Sequence, residues 1–346
     1  MLLTRFIDLP EECVRKVAYF GLATWPADRV HAAPVLSITA SLTSQSIVLL
    51  QLLALVCRRA LWLGDVNPAA LCSLPMHLRP TLLLDEVHLG ASFQRLLRAS
   101  SVQGRYVARN GRTLDLYSPK VICSREPLRD PWLASRALQV ALAPTRQRLP
   151  LLDRETSEQI AEEFQAKLLM YRLTNYHKVC TPSIDVEELT APTQSLARSL
   201  AACVVGDEGL QSALVSLLRQ QDREIQVERS AGLESVVLEA LLFCCHDGNR
   251  STVRAAELAE ITNTILTGRG QGLQLSAETV GWKLKLLGFH TEPIGSGGKG
   301  LYLLDEVRAR IHGLARDYAV PSVQQGSMKM CPQCLQADDV GGERDR

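Results

Sequence analysis

The chain has almost no net charge: 38 Lys and Arg against 37 Asp and Glu leave +1 at pH 7. No global field draws it to nucleic acid or to a membrane, so any such site must be a local patch. Lysine is scarce, 8 against 30 arginines, a bias that points to no function. No apolar run reaches the ~20 residues that a membrane-spanning helix needs. The uncharged stretch 32–57 comes nearest, but Ser37, Thr39, Ser41, Thr43, Ser44, Gln45 and Ser46 interrupt it. It reads as a strand, a polar loop and a buried helix. A secretory h-region is missing, because Arg5, Asp8, Glu11 and Glu12 fall where it would lie. The cysteines are scattered, and Cys57, Cys203, Cys244 and Cys245 sit in apolar helical runs. That favours reduced thiols and a cytoplasmic setting. No Ser-His-Asp or Cys-His signature is present.

What is there is an ordinary globular composition, 46% apolar and 22% charged, over 346 residues. That length allows two or three domains. Residues 1–150 alternate short apolar strands (35–38, 61–63, 81–84, 120–123, 137–142) with helices such as 47–58 and 93–100, which predicts a parallel α/β sheet. Asn67-Pro68 opens another short helix, with Asn as cap and Pro at the first position. Residues 151–229 read as helical: Ile160, Phe164, Leu168 and Tyr171 recur at helical spacing. The charged run 222–229 reads as a solvated helix end or hinge. Residues 230–320 read as three helices (233–245, 253–267, 276–287), two short strands (289–294, 300–304) and a closing helix, 305–318. Three helices followed by a glycine-tipped hairpin predict a winged helix-turn-helix. Residues 321–346 are polar and carry a C-x-x-C.

The strand Thr81-Leu82-Leu83-Leu84 ends in Asp85-Glu86. Two adjacent carboxylates at the end of a buried parallel strand suit Mg²⁺ binding through Asp85 and polarisation of an attacking water by Glu86. A working phosphate loop also needs glycines and a lysine. Upstream, the segment 39–46 has neither. Thr39 and Ser44 stand where the glycines belong, Gln45 replaces the lysine, and Ser46 is retained as a Mg²⁺ ligand. The following helix keeps its dipole, which favours an anion at its N-terminus. Gln brings hydrogen bonds but no charge. The expectation is weak or absent binding of ATP and Mg²⁺, unless Arg58, Arg59 or a partner's arginine compensates.

The order of parts resembles the AAA-like P-loop ATPase domain of bacterial and phage primase–helicase-type proteins, from about residue 19 to 150. The resemblance rests on Pro34-Val35-Leu36 entering the loop, Leu55-Val56-Cys57-Arg58-Arg59 closing the next helix, and Pro80-Thr81-Leu82-Leu83-Leu84-Asp85-Glu86. Pro119-Lys120-Val121-Ile122-Cys123-Ser124 fits a sensor strand, and Leu133-Ala134-Ser135-Arg136 fits an arginine-finger segment. The resemblance implies that Ser124 orients the water and that Arg136 reaches a neighbouring subunit's γ-phosphate in a homo-oligomer. It further implies a part in replication or mobile-element maintenance. The altered loop leaves hydrolysis open, and a sheet can persist as a scaffold after its site decays. A DNA-associated ATPase or pseudo-ATPase is one reading. A non-enzymatic DNA-binding regulator that uses the core as an oligomerisation scaffold is the other.

In the winged-helix reading, Thr279 and Lys283 lie on the exposed face of the third helix and Lys299 tips the wing. Trp282 lies near that face or in the core. Such cations suit phosphate contacts, which position a protein on DNA without reading bases. Winged helices also mediate protein contacts, so DNA is the favoured partner and a protein the other. Cys331-Pro332-Gln333-Cys334 has the spacing of half a zinc site. Completion needs His312, a distant Cys or a second subunit, and an exposed thiol pair is the favoured reading. His88 is either a neighbour that tunes Glu86 or a surface histidine.

Overall fold

The computed structural model describes residues 2–40, 44–64, 66–85, 89–109, 111–128, 130–145, 148–180, 182, 184–230, 232–246, 250–295 and 298–320. It divides into two compact units, 1–222 and 223–346.

The first unit runs α1 (Leu2–Phe6), α2 (Glu11–Ala23), β1 (Val35–Ala40), α3 (Ser44–Val56), β2 (Ala60–Gly64), α4 (Pro68–Ser73), β3 (Thr81–Asp85), α5 (Ala91–Ala99), β4 (Tyr106–Arg109), β5 (Arg112–Asp115), β6 (Lys120–Ser124), α6 (Pro131–Ala134), β7 (Leu138–Leu142), α7 (Arg154–Asn175), α8 (Ala191–Ala202) and α9 (Glu208–Ser230). Five strands form a parallel sheet in the order β2-β3-β6-β1-β7. All five occur where the apolar runs predict them. β6 is buried throughout and β3 nearly so, as expected of strands covered on both faces, whereas β2 at the edge is half-exposed.

Side-chain alternation along each strand separates two cores. Leu36, Ile38, Leu83, Val121 and Cys123 face one core, shared with Phe20 of α2 and Leu49, Leu52 and Leu53 of α3. Val35, Leu82, Leu84 and Ile122 face the other, against Leu71 of α4, Phe93 and Leu97 of α5 and Leu133 of α6. The result is an α/β/α sandwich. α3 is apolar nearly all round, and packs between the sheet and α7. The segment 151–229, read from sequence as a separate helical part, shares the first core through Ile160, Leu196, Leu200 and Leu214. The chain therefore divides not near residue 150 but within α9. Residues 222–229 continue that helix.

A bidentate pair fixes α7. Arg172 Nη1 and Nη2 donate to Asp28 Oδ1 and Oδ2 at 2.6 and 2.8 Å, and the Tyr176 hydroxyl donates to Oδ2 at 3.0 Å. Burial pushes the Asp28 carboxyl up, but the Arg172 hydrogen bonds and charge outweigh it and hold the pKa at about 2.

The second unit contains α10 (Leu233–His246), β8 (Thr252–Arg254), α11 (Ala255–Gly268), α12 (Ala277–Leu286), β9 (Glu292–Pro293), β10 (Lys299–Tyr302) and α13 (Asp305–Asp317). Its strands form an antiparallel sheet in the order β8-β10-β9. β8 occupies residues that the sequence assigns to the start of a helix. Gly300 is required where β10 crosses β8, because a Cβ there would stand 2.2 Å from the Val253 carbonyl oxygen. α10 is buried on most sides by α11, α12 and α13. Among the described residues, no helix is long and apolar enough to cross a membrane.

Candidate functional site

In an open parallel sheet, ligands bind beyond the carboxyl ends of the strands. Three sequence-predicted residues meet there. Thr39 of β1 pairs in register with Ser124 of β6. β6 lies between β1 and β3, whose last residue is Asp85. The strand order thus brings Thr39, Ser124 and Asp85 to one edge on three neighbouring strands. α3 starts after β1 and directs its N-terminus to the same edge. Glu86, His88 and the loop residues Ser41, Leu42 and Thr43 lie outside the described residues, as does the side chain of Ser44.

The polar groups at this edge are engaged with the protein itself. Trp62 Nε1 on β2 donates to Asp85 Oδ2 at 3.3 Å. Ser124, 9% exposed, donates its hydroxyl to the Glu126 carbonyl at 2.7 Å, which turns the chain after β6. Gln45 is 4% exposed, with both ends of its amide engaged. The backbone N–H of Asp8 donates to Gln45 Oε1 at 3.0 Å, and Gln45 Nε2 donates to the Ala143 carbonyl at 2.8 Å. The Asp8 carboxylate accepts from Thr145 Oγ1 at 2.6 Å. The residue at the lysine position therefore joins the segment before α2 to the loop after β7. It also brings the exposed carboxylate of Asp8 close to the start of α3. Ser46 is likewise engaged in an interaction of its own.

The proposed compensating arginines are elsewhere. Arg58 and Arg59 precede β2 and lie where the strands begin. Arg59 Nη1 donates to the Leu78 carbonyl at 2.7 Å. Burial lowers the Arg58 pKa, with the nearby Arg172 charge adding to the effect. Arg136 precedes β7 at the same far edge, its guanidinium 4.4 Å from the Trp132 ring centre. It lines a cavity of about 170 Å³ with His31, Ser101 and Ser195. None of the three joins Thr39, Asp85 and Ser124.

Sequence reasoning passed over Lys120 as a site in its own right. It is fully buried at the start of β6, and its Nζ donates to the carbonyls of Ser100 and Ser118 at 3.1 and 2.7 Å and to Ser101 Oγ at 3.0 Å. Burial lowers its pKa to about 7. A lysine in an otherwise apolar strand was the available signal.

In the second unit, Ser276 caps α12 by accepting from the Thr279 N–H at 3.2 Å, and its hydroxyl lies 2.9 Å from Thr279 Oγ1. Asn263 fixes the preceding turn: its Nδ2 donates to the Leu275 carbonyl at 3.0 Å, and the Leu275 N–H returns to its Oδ1 at 2.7 Å. Lys283 is ion-paired with Glu234 of α10, its side chain 15% exposed. Its ammonium also lies 5.4 Å from the Trp282 ring centre. Trp282 is 57% exposed and Leu286 56%, so Trp282 belongs to the surface. Lys285 and Lys299 are exposed, and Arg254 is exposed beside Lys299 on the sheet.

The sequence matches no protein-family model and no curated protein. Among solved structures, two A-form apo structures of the NrS-1 C-terminal region are similar to it, at 15% and 13% identity and TM-scores of 0.38 and 0.37. Each overlap covers 87% of this chain and 78% of the other. At these values the likeness bears on neither fold family nor activity.

Proposed function

We propose that the chain is a DNA-associated pseudo-ATPase: a P-loop-type scaffold without a working phosphate grip, joined to a winged helix that binds DNA. The observation that carries the first half is the engagement of Gln45. Its amide oxygen and one of its two N–H groups are taken up internally and the side chain is buried, so it brings no charge and little accessible surface to a phosphate. The Asp8 carboxylate adds repulsion at the helix start, where an anion would sit. Support for a P-loop ancestry comes from the strand order, which sets one strand between the loop-bearing β1 and the carboxylate-ending β3. Support for a winged helix comes from the order helix, strand, two helices and hairpin, with β8, β9 and β10 in one small sheet. Lys285, Lys299 and Arg254 are among its exposed cations and suit phosphate contacts.

The position of Arg136 favours a second reading of the first unit. An arginine finger acts on a neighbouring subunit's site, and Arg136 lies at the edge away from its own carboxylates. In that reading a homo-oligomer restores turnover. Exposed Trp282 and Leu286 favour a protein rather than DNA as partner of α12.

Two titrations test the proposal. Calorimetry with ATP and Mg²⁺, beside an Asp85→Ala control, is expected to show no binding at millimolar nucleotide. Micromolar binding that weakens in the control would restore the ATPase reading. Fluorescence anisotropy with a labelled duplex is expected to show binding that weakens steeply with salt. Absence of binding at low salt would assign α12 to a protein partner.

A further inference from the structure

His312 faces His246, Nε2 to Nε2 at 3.3 Å, with no third His, Cys, Asp or Glu among the described residues to hold a metal there, and Cys331 and Cys334 lie outside those residues. On α13 two opposite charges line one cleft without meeting. The cleft has a volume of about 530 Å³ and lies between the turn after α12, the strands β9 and β10, and the first turns of α13. Buried Phe289 and Leu301 and half-buried Val307 line it with apolar surface. Tyr302 and Leu304, 41% and 65% exposed, extend that surface. Glu292, Glu306 and Arg310 are the ionised residues among its lining. This volume, with an apolar lining and a few polar groups, is that of a small-molecule site.

Glu306 and Arg310 stand four residues apart on α13 with the glutamate nearer the N-terminus, the order that favours an ion pair on a helix. At the same spacing and order, Glu11 pairs with Arg15, Glu12 with Lys16 and Glu163 with Lys167. Glu306 and Arg310 do not pair with each other, nor with any other described residue. The guanidinium is held elsewhere. It lies 5.4 Å from the Phe289 ring centre, and its Nη2 donates to the Leu287 carbonyl at 3.4 Å. Gly288, at φ 81°, leaves it room, because a Cβ there would collide with Arg310 Nη2. Arginine has five N–H donors, and the Leu287 carbonyl takes one of Arg310's. Glu306 keeps its carboxylate in the first turn of α13, where the helix dipole favours a negative charge. Donors and acceptors thus line the same cleft on adjacent helical turns, and Glu292 of β9 adds a second carboxylate.

A ligand that bridges this gap must offer an anion to Arg310 and a cation to Glu306 on neighbouring atoms, with an apolar body for the rest of the cleft. A plain anion would meet two carboxylates, and a plain cation would meet the guanidinium. An α-amino acid has the required form, with carboxylate and ammonium on one carbon and the side chain apart. At about 30 Å³ for each water-sized group, the cleft has room for about 18 of them, enough for an aromatic side chain. We propose that this cleft binds an α-amino acid with a large apolar side chain, its carboxylate on Arg310, its ammonium on Glu306 and its side chain against Phe289, Leu301 and Val307.

The test is calorimetric titration of the full chain with L-phenylalanine, expected to show one saturable site per chain with Kd below about 1 mM. 3-Phenylpropionate lacks the ammonium and 2-phenylethylamine lacks the carboxylate. Each should bind at least ~10-fold more weakly, the loss that goes with one hydrogen bond to a charged group. Glu306→Gln and Arg310→Gln should each cost L-phenylalanine a similar factor. Both side chains are exposed, so circular dichroism should match the wild type. Glu306→Gln should not weaken 3-phenylpropionate, and Arg310→Gln should not weaken 2-phenylethylamine, a pattern that general damage to the cleft would not give. No saturable binding at millimolar L-phenylalanine overturns the proposal. So does either analogue binding as tightly as the amino acid, or unaltered L-phenylalanine binding by either variant.

Discussion

Gln45 donates to the Ala143 carbonyl across 2.8 Å, joining the first turn of α3 to the chain that leaves β7. That relationship separates structure from nucleotide binding at this edge. Gln45→Ala leaves the Asp8 N–H and the Ala143 carbonyl without their partner and is expected to destabilise the first unit by about 2–4 kcal/mol. Urea unfolding measures it. Gln45→Lys should also lose stability and gain no affinity for ATP. Micromolar ATP binding by Gln45→Lys at unchanged stability would show that the amide link is incidental.

Binding to DNA should respond to Lys285 and Lys299, and much less to Lys283. Replacing the first two together with Ala is expected to lower duplex affinity and reduce the salt slope by about 1.8, since each lost phosphate contact removes about 0.9. Lys283→Ala removes an ion pair with Glu234 and should lower stability first. Anisotropy titrations at several salt concentrations distinguish the two. An unchanged slope in the double variant would remove the proposed surface.

Asp28 and Arg172 form the electrostatic clamp on α7. The folded pKa of Asp28 is about 2, below the ordinary 3.8, so the folded state binds fewer protons in between. The stabilisation is complete above the ordinary value and is lost as pH falls towards 2. Asp28→Asn should flatten that acid limb, and Arg172→Ala should cost about 3 kcal/mol by leaving a mostly buried carboxylate without its main partner. Denaturant midpoints followed from pH 6 to pH 2 test both. Parallel acid limbs in the wild type and Asp28→Asn would refute the clamp.

Lys120 gives the same sign in a higher pH window. Its folded pKa, about 7, lies below the ordinary 10.5, so between these values the unfolded chain binds the extra proton. Its contribution should therefore rise with pH from about 7 to 10.5. Lys120→Met removes the titrating group. The stability difference, wild type minus variant, should grow over that window. A difference independent of pH would mean that the ammonium stays charged in place.

The sheet was legible because buried parallel strands are unbroken apolar runs, and Thr81-Leu82-Leu83-Leu84 is one. The meeting of Thr39, Asp85 and Ser124 followed from the strand ends. The hairpin β4–β5 was passed over, although Asn110-Gly111 joins its strands and is a favoured hairpin dipeptide. β8 was hidden because a three-residue strand has no measurable period, and Val253 also fits the helical spacing that follows. The engagement of Gln45 could not be read, since its partners lie 37 and 98 residues away. The same holds for Lys283, 49 residues from Glu234. Local pattern finds elements and the residues at their ends; it does not find which distant group consumes a side chain.

The central place of β1 sets a timetable for synthesis. Its neighbours β6 and β7 follow it by about 85 and about 100 residues, while β2 and β3, made first, pair with each other. At roughly 5–20 residues per second, β1 waits about 4–17 s for its first partner. Throughout that interval its apolar residues and both rows of backbone groups have no sheet to join. The nascent chain is then most open to misassociation, and slower translation after β1 would lengthen the exposure.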